Sequence, residues 1–90
     1  MKTTNSIVRE ALAHHLDREP STIHAWQHLE IDLYLSPPDL LRVVREVEDI
    51  EDVELPVREL AAMSTVGDLF AFVSRAAARR RPARPLDRVA

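Results

Sequence analysis

The sequence contains no cysteine, and it has only one glycine, one tryptophan, one tyrosine and two phenylalanines among its 90 residues. Without cysteine there is no disulfide framework, no thiolate metal site and no thiol nucleophile, and nothing indicates an oxidising compartment. No apolar run approaches the length that crosses a bilayer, and charged residues interrupt the apolar pattern of residues 1–17. The sequence therefore predicts a cytoplasmic protein with neither a signal peptide nor a membrane span.

Hydrophobic residues make up 46% of the chain and charged residues 30%, which suits one compact soluble domain with a single core. The net charge of −3 conceals a division along the chain. Residues 1–74 hold six basic and 14 acidic side chains, a net charge of −8, whereas residues 75–90 hold six arginines and one aspartate, a net charge of +5. We expect a folded domain over residues 1–78 and a disordered basic tail over residues 79–90.

Apolar residues recur at helical spacing in several segments, and no alternating strand pattern is present. The pattern predicts an all-α bundle of four helices: three main helices and a short one, opened by Pro56, before the last. The first helix begins near residues 4–6, and a long loop over residues 21–35 follows it. Such a loop is expected to pack on the core through its apolar residues, Ile23, Trp26, Leu29, Ile31 and Leu33.

The second helix has a strong start signal in the segment from Ser36 to Asp39. Ser36 is a favoured N-cap, and Asp39 three residues later completes a capping box. Pro37 and Pro38 suit the first helical turn because they lack the amide hydrogens that a helix start leaves unpaired. Residues 65–68 carry a second such box, which predicts the start of the last helix.

This order of helices, with these residues at the joints, resembles the acyl carrier proteins of the phosphopantetheine-binding family over about residues 6–75. The similar segments include the exit of the second helix at residues 53–56 and the opening of the last helix at residues 64–69. The resemblance implies a four-helix carrier fold and no enzymatic activity. It also implies a 4′-phosphopantetheine arm that is esterified to a serine at the start of the second helix.

The sequence departs from the family at that attachment site. Carrier proteins usually read Asp-Leu-Gly-x-Asp-Ser-Leu there, whereas this chain has Tyr34 for the glycine, Ser36 for the aspartate, Pro37 for the serine and Pro38 for the leucine. Pro37 has no hydroxyl group and cannot attack coenzyme A. The first interpretation is a non-carrier docking module that needs no cofactor. The alternative is a working acyl or aminoacyl carrier that holds 4′-phosphopantetheine on Ser36.

In the family, acidic residues of the second helix contact basic surfaces of synthases and transferases. The resemblance therefore places partner binding on the second helix, with Arg42 as a charge reversal that could redirect partner choice. We expect a monomer that binds an enzyme of fatty acid, polyketide or nonribosomal peptide biosynthesis, and no membrane. The predicted partner-binding residues are Asp39, Arg42, Glu46, Glu48 and Asp49.

Three further features of the sequence suggest other roles, each on weaker grounds. His24 and His28 are four residues apart, but two ligands do not make a metal site, so none is predicted. The arginine-rich tail suggests nucleic-acid binding as a distant alternative, although the acidic body disfavours it; the tail could instead fold back on the acidic run at residues 46–54. Trp26 and Tyr34 are expected to pack the long loop on the helices, and Tyr34 could close a groove that would otherwise receive an acyl chain.

Overall fold

A computed structural model of the protein describes residues 2–79 and shows a helical bundle. Its three α-helices are α1 (Thr4–Leu16), α2 (Pro37–Glu51) and α3 (Val66–Arg79), and 3-10 helices cover Pro20–Thr22 and Val57–Ala62. The described part of the chain has no strand, only an isolated bridge between His28 and Thr65. The all-α prediction, with a short helix before the last, is confirmed. None of the described helices is both long and apolar enough to cross a bilayer.

Local capping explains where the helices begin. The Thr3 hydroxyl oxygen accepts a hydrogen bond from the Ser6 amide at 3.0 Å at the start of α1. At the start of α3, the Thr65 hydroxyl oxygen accepts from the Asp68 amide at 3.1 Å, and Asp68 accepts from the Thr65 amide at 3.0 Å. Each bond satisfies an amide that the helix itself leaves unpaired. The predicted second capping box is thus confirmed.

Helices α1 and α2 run antiparallel, and their ends are tied together by polar contacts. His15 at the end of α1 lies 3.3 Å from the Asp39 carboxylate at the start of α2. Thr4 at the start of α1 donates to Glu51 at the end of α2 at 3.4 Å. Helix α1 also packs against α3. The side chains that are most completely buried between the helices are Val8, Leu12, Val43, Val44, Val47, Leu69, Phe72 and Val73.

The long loop packs only in part as expected. Ile23, Leu29 and Leu33 are buried, but the Trp26 side chain is 70% exposed and Ile31 is 67% exposed, so the prediction is wrong for these two residues. Tyr34, also expected to pack, is 84% exposed. Backbone hydrogen bonds to the start of α3 attach the loop to the bundle, so these three side chains are not required to hold it in place.

Three backbone hydrogen bonds make this attachment. The Leu29 amide donates to Ser64 at 2.8 Å, the Val66 amide to Gln27 at 2.9 Å, and the Gly67 amide to Ala25 at 2.8 Å. A Cβ atom at Gly67 would lie 3.2 Å from the Ala25 carbonyl oxygen, so glycine permits the close approach. Residues 80–90 are outside the described residues. The predictions that the tail is disordered, folds back on residues 46–54 or binds nucleic acid therefore also concern residues outside the described range.

Candidate functional site

The start of α2 is fixed by reciprocal hydrogen bonds between Ser36 and Asp39. The Ser36 hydroxyl oxygen accepts from the Asp39 amide at 3.3 Å, and the hydroxyl donates to Asp39 Oδ2 at 2.8 Å. Asp39 Oδ2 also accepts from the Ser36 amide at 3.1 Å. The predicted capping box is therefore present, with Pro37 as the first helical residue. Ser36, Pro37 and Pro38 are all exposed.

These contacts lower the pKa of Asp39. The largest cause is the hydrogen bond from the Ser36 hydroxyl, followed by the bond from the Ser36 amide, and His15 contributes further. Hydrogen bonds donated to a carboxylate favour its charged form. Arg42 also lies 3.4 Å from the second carboxylate oxygen of Asp39. Asp39 thus acts as a charged acceptor that holds the helix start together.

The loop that leads into α2 is held by a turn around His28. The His28 amide donates to Asp32 at 2.6 Å, and His28 Nδ1 accepts from the amides of Glu30 and Ile31 at 3.2 and 3.1 Å. An amide always donates its hydrogen, so Nδ1 is already occupied as an acceptor. His24, the other histidine of the pair, stacks on Trp26 with ring centroids 5.8 Å apart. No three potential ligands within residues 2–79 converge on a metal position.

Tyr34 continues this turn with a backbone φ of 57°, in the left-handed region. This conformation is uncommon for a bulky residue and suits glycine. The resemblance placed a glycine of the carrier pattern at this position, and the chain keeps the left-handed geometry although the glycine is absent. The 84% exposed side chain makes no contact that would explain the tyrosine.

A mainly apolar groove of about 790 Å³ opens beside the start of α2. It is bounded by α2, by the His28 turn and by the 3-10 helix Val57–Ala62. Tyr34 does not line it, so the suggestion that Tyr34 closes a groove here is wrong. The lining residues that give the groove its apolar character are Leu29, Leu35, Leu40, Leu41, Leu60 and Met63.

The structure places the five predicted partner-binding residues on α2 but gives them unequal access to solvent. Glu46 lies 3.4 Å from His14, and Glu48 Oε2 accepts from the Leu55 amide at 2.9 Å. Asp39 is bound within the capping box. Arg42 has 70% of its side chain exposed, and Asp49 is also exposed. Three of the four carboxylates therefore have partners within the fold.

Sequence reasoning missed Arg45, which lies on the most exposed side of α2. It follows Arg42 by three residues and precedes Asp49 by four, so the three side chains lie along one stripe of the helix. Helical spacing was the signal that could have found it. Arg45 was overlooked because the resemblance directed attention to the acidic positions.

The arrangement offers a poor attachment point for a phosphopantetheine arm. Pro37, which the resemblance aligns with the attachment serine, has no nucleophilic atom in its side chain. The neighbouring Ser36 hydroxyl has its hydrogen directed to Asp39 and its oxygen bonded to the Asp39 amide. Modification of Ser36 would remove the hydroxyl hydrogen that it donates to Asp39 and bring a phosphodiester against the Asp39 carboxylate. Pro37 therefore cannot hold the prosthetic group, and at Ser36 the group would replace a bond of the capping box.

Acyl carrier protein 3 of Ralstonia nicotianae is 36% identical to this chain over 73 residues, which cover 81% of this chain and 84% of that protein. No protein-family model matches the chain.

Proposed function

This chain belongs to the acyl carrier protein family, and we propose that within the family it is a docking module that carries no prosthetic group. Members of the family are carrier proteins rather than enzymes, and they usually hold 4′-phosphopantetheine. They work by interacting with biosynthetic enzymes. In the proposed function, the protein still binds a biosynthetic enzyme but carries no covalently attached cargo.

The observation that supports this proposal is an otherwise complete helix start with Pro37 at the position that the resemblance aligns with the attachment serine. Pro37 is the first residue of α2, and a full capping box surrounds it. Proline suits this position because its missing amide hydrogen would be unpaired there in any case. The substitution is thus compatible with the fold while it removes the hydroxyl that the carrier reaction requires.

We assign docking to α2 and to the acidic segment that follows it. Residues 46–54 hold six carboxylates, and most of them lie at the end of α2 distant from Pro37. A concentration of negative charge attracts and orients a basic protein surface. The proposed partner is therefore a synthase or transferase of fatty acid, polyketide or nonribosomal peptide biosynthesis that presents basic residues to this segment. The docking domain covers residues 1–78 and acts as a cytoplasmic monomer.

Loading with the prosthetic group tests the proposal. The purified protein is incubated with coenzyme A and a promiscuous phosphopantetheinyl transferase, and the intact mass is then measured. We expect no mass increase in the wild type or in Ser36→Ala. A gain of one phosphopantetheine group in the wild type that disappears in Ser36→Ala would establish the alternative, a working carrier modified at Ser36.

A further inference from the structure

The solvent-facing stripe of α2 has two halves of opposite charge. Arg42 and Arg45 form the first half, and Asp49 and Asp52 form the second; all four residues are exposed. Arg42, Arg45 and Asp49 are spaced by three and four residues, which keeps them on one side of α2, and Asp52 follows directly as the left-handed C-cap of the helix. The centres of the two halves are seven residues apart, which is about 10 Å along the helix axis. That separation exceeds the Debye length of about 8 Å at physiological salt, so a partner meets two distinct patches.

The carboxylates near the arginines are less exposed than the arginines, because the side chains of Asp39 and Glu46 are 30% and 36% exposed, against 70% for Arg42. Asp39 accepts the two bonds from Ser36 and lies near His15, and Glu46 lies near His14. Within the described chain Arg45 takes part in no ion pair, and the single contact of Arg42 with Asp39 is at 3.4 Å. The most exposed charges in the first half of the stripe are therefore positive, although the domain as a whole is acidic.

The helix dipole does not account for this arrangement. The last turn of α2 has no basic residue and instead carries acidic ones, where the helix dipole favours cations. The arginines lie toward the middle of the helix, where they gain little from the dipole. The helix dipole disfavours acidic residues at the C-terminal end of α2. The order of charges is therefore better explained by contact with another molecule.

We propose that Arg42 and Arg45 dock an acidic patch on a protein partner. Asp49 and Asp52 set the orientation, because they repel the acidic patch and attract basic residues beside it. Exposed Pro38 and half-buried Leu41 supply apolar contact next to the arginines. This inference rests on the docking role proposed above and specifies the partner as a surface of both signs, with its acidic part over the first half of α2.

A protein surface fits this stripe better than a nucleic acid does. The phosphates of a nucleic acid repeat with one sign along the strand, and binding depends on many cationic contacts. Here only two arginines are available before Asp49 and Asp52 reverse the charge. A protein surface can alternate its charge over about 10 Å, so it can match both halves at once.

Amide chemical shifts of the labelled full-length protein test the inference. The probe is a short peptide rich in glutamate and leucine, and the comparisons are the same peptide with lysine for glutamate and a single-stranded oligonucleotide. The variants are Arg42→Ala/Arg45→Ala and Asp49→Asn/Asp52→Asn. Arg58→Ala/Arg75→Ala is the matched control, because it removes two exposed arginines elsewhere and changes the net charge equally.

We expect the acidic peptide to shift amides of residues 38–46, and its affinity to fall about fivefold in Arg42→Ala/Arg45→Ala. Affinity should rise in Asp49→Asn/Asp52→Asn and change less than about twofold in the control. Equal losses in both arginine variants would show a mere net-charge effect and overturn the inference. Stronger binding of the oligonucleotide or the lysine peptide at residues 38–46 would also overturn it. These readouts are independent of phosphopantetheine loading, so each proposal can fail alone.

Discussion

Ser36 and Asp39 exchange three hydrogen bonds across the first turn of α2, at distances of 2.8, 3.1 and 3.3 Å. Through these bonds Ser36 is the N-cap of α2, and its hydroxyl belongs to the residue directly before Pro37. A serine with this structural role is expected to affect stability when it is removed, whether or not it is ever modified.

Ser36→Ala should destabilise the fold by about 1 kcal/mol, because it removes the side-chain acceptor for the Asp39 amide. The free energy of unfolding in urea, followed by helical circular dichroism, gives this value. Ser74→Ala is the control, since Ser74 is exposed within α3 and no cap depends on it. An equal effect of both substitutions would contradict the capping role of Ser36.

Stability should depend on the charge of Asp39 and decline in acid. The pKa of Asp39 is lowered in the folded state, chiefly by the Ser36 hydroxyl, and that of Asp68 is lowered by the amides of Ser64 and Thr65. A carboxyl group whose pKa is lower in the folded than in the unfolded state stabilises the fold above its unfolded pKa. That contribution is lost as the pH falls through the folded pKa.

The test compares the wild type with Asp39→Asn from neutral pH to about pH 2, a range that passes through the unfolded pKa of aspartate and continues below it. The wild type should be the more stable protein near neutral pH, and the difference should shrink as Asp39 becomes protonated. Asp49→Asn removes the same charge without touching the capping box, so its effect at neutral pH should be smaller. A stability difference for Asp39→Asn that is constant across this range would contradict the assigned role.

Tyr34→Gly should stabilise the protein relative to Tyr34→Ala by about 1 kcal/mol. Both substitutions remove the exposed ring, but only glycine relieves the left-handed backbone at φ 57°. The greater entropy of glycine in the unfolded chain reduces the gain. Thermal and urea unfolding of the two variants measure the difference, and a less stable glycine variant would show that the backbone at this position is not strained.

Leu12→Ala should destabilise the domain by about 2–5 kcal/mol, because Leu12 is fully buried where α1 meets the other helices. Ile31→Ala should change the free energy of unfolding by no more than about 0.5 kcal/mol, since Ile31 lies on the loop surface. Urea unfolding of both variants makes the comparison. A large cost for Ile31→Ala would restore the prediction that the whole loop is packed on the core.

The sequence was sufficient to predict features that depend on neighbouring residues. Both capping boxes act over three residues, so Ser36 and Thr65 could be recognised directly as helix starts. The apolar periodicity of the main helices was equally local. These features define the element order, whereas the alignment of Pro37 with the attachment serine, on which the proposed function depends, came from the resemblance to carrier proteins.

Features that depend on distant parts of the chain were predicted less well. Trp26 and Ile31 looked like core residues, yet backbone bonds to α3 hold their loop and leave both side chains in solvent. The carboxylates of Glu46 and Glu48 looked available, but His14 and the Leu55 amide contact them in the fold. Apolar type and charge can be read from a sequence, whereas burial and pairing require the tertiary structure.

The most direct test of the central claim is the intact mass after incubation with coenzyme A and a promiscuous phosphopantetheinyl transferase. The wild type is measured beside the variant Ser36→Asp, Pro37→Ser, Pro38→Leu, which restores the Asp-Ser-Leu part of the carrier pattern and shows whether the transferase accepts this scaffold. We predict that the wild-type mass is unchanged and that the restored variant gains one phosphopantetheine group. A wild-type protein that gains the group would contradict the claim that this carrier fold acts without its prosthetic arm.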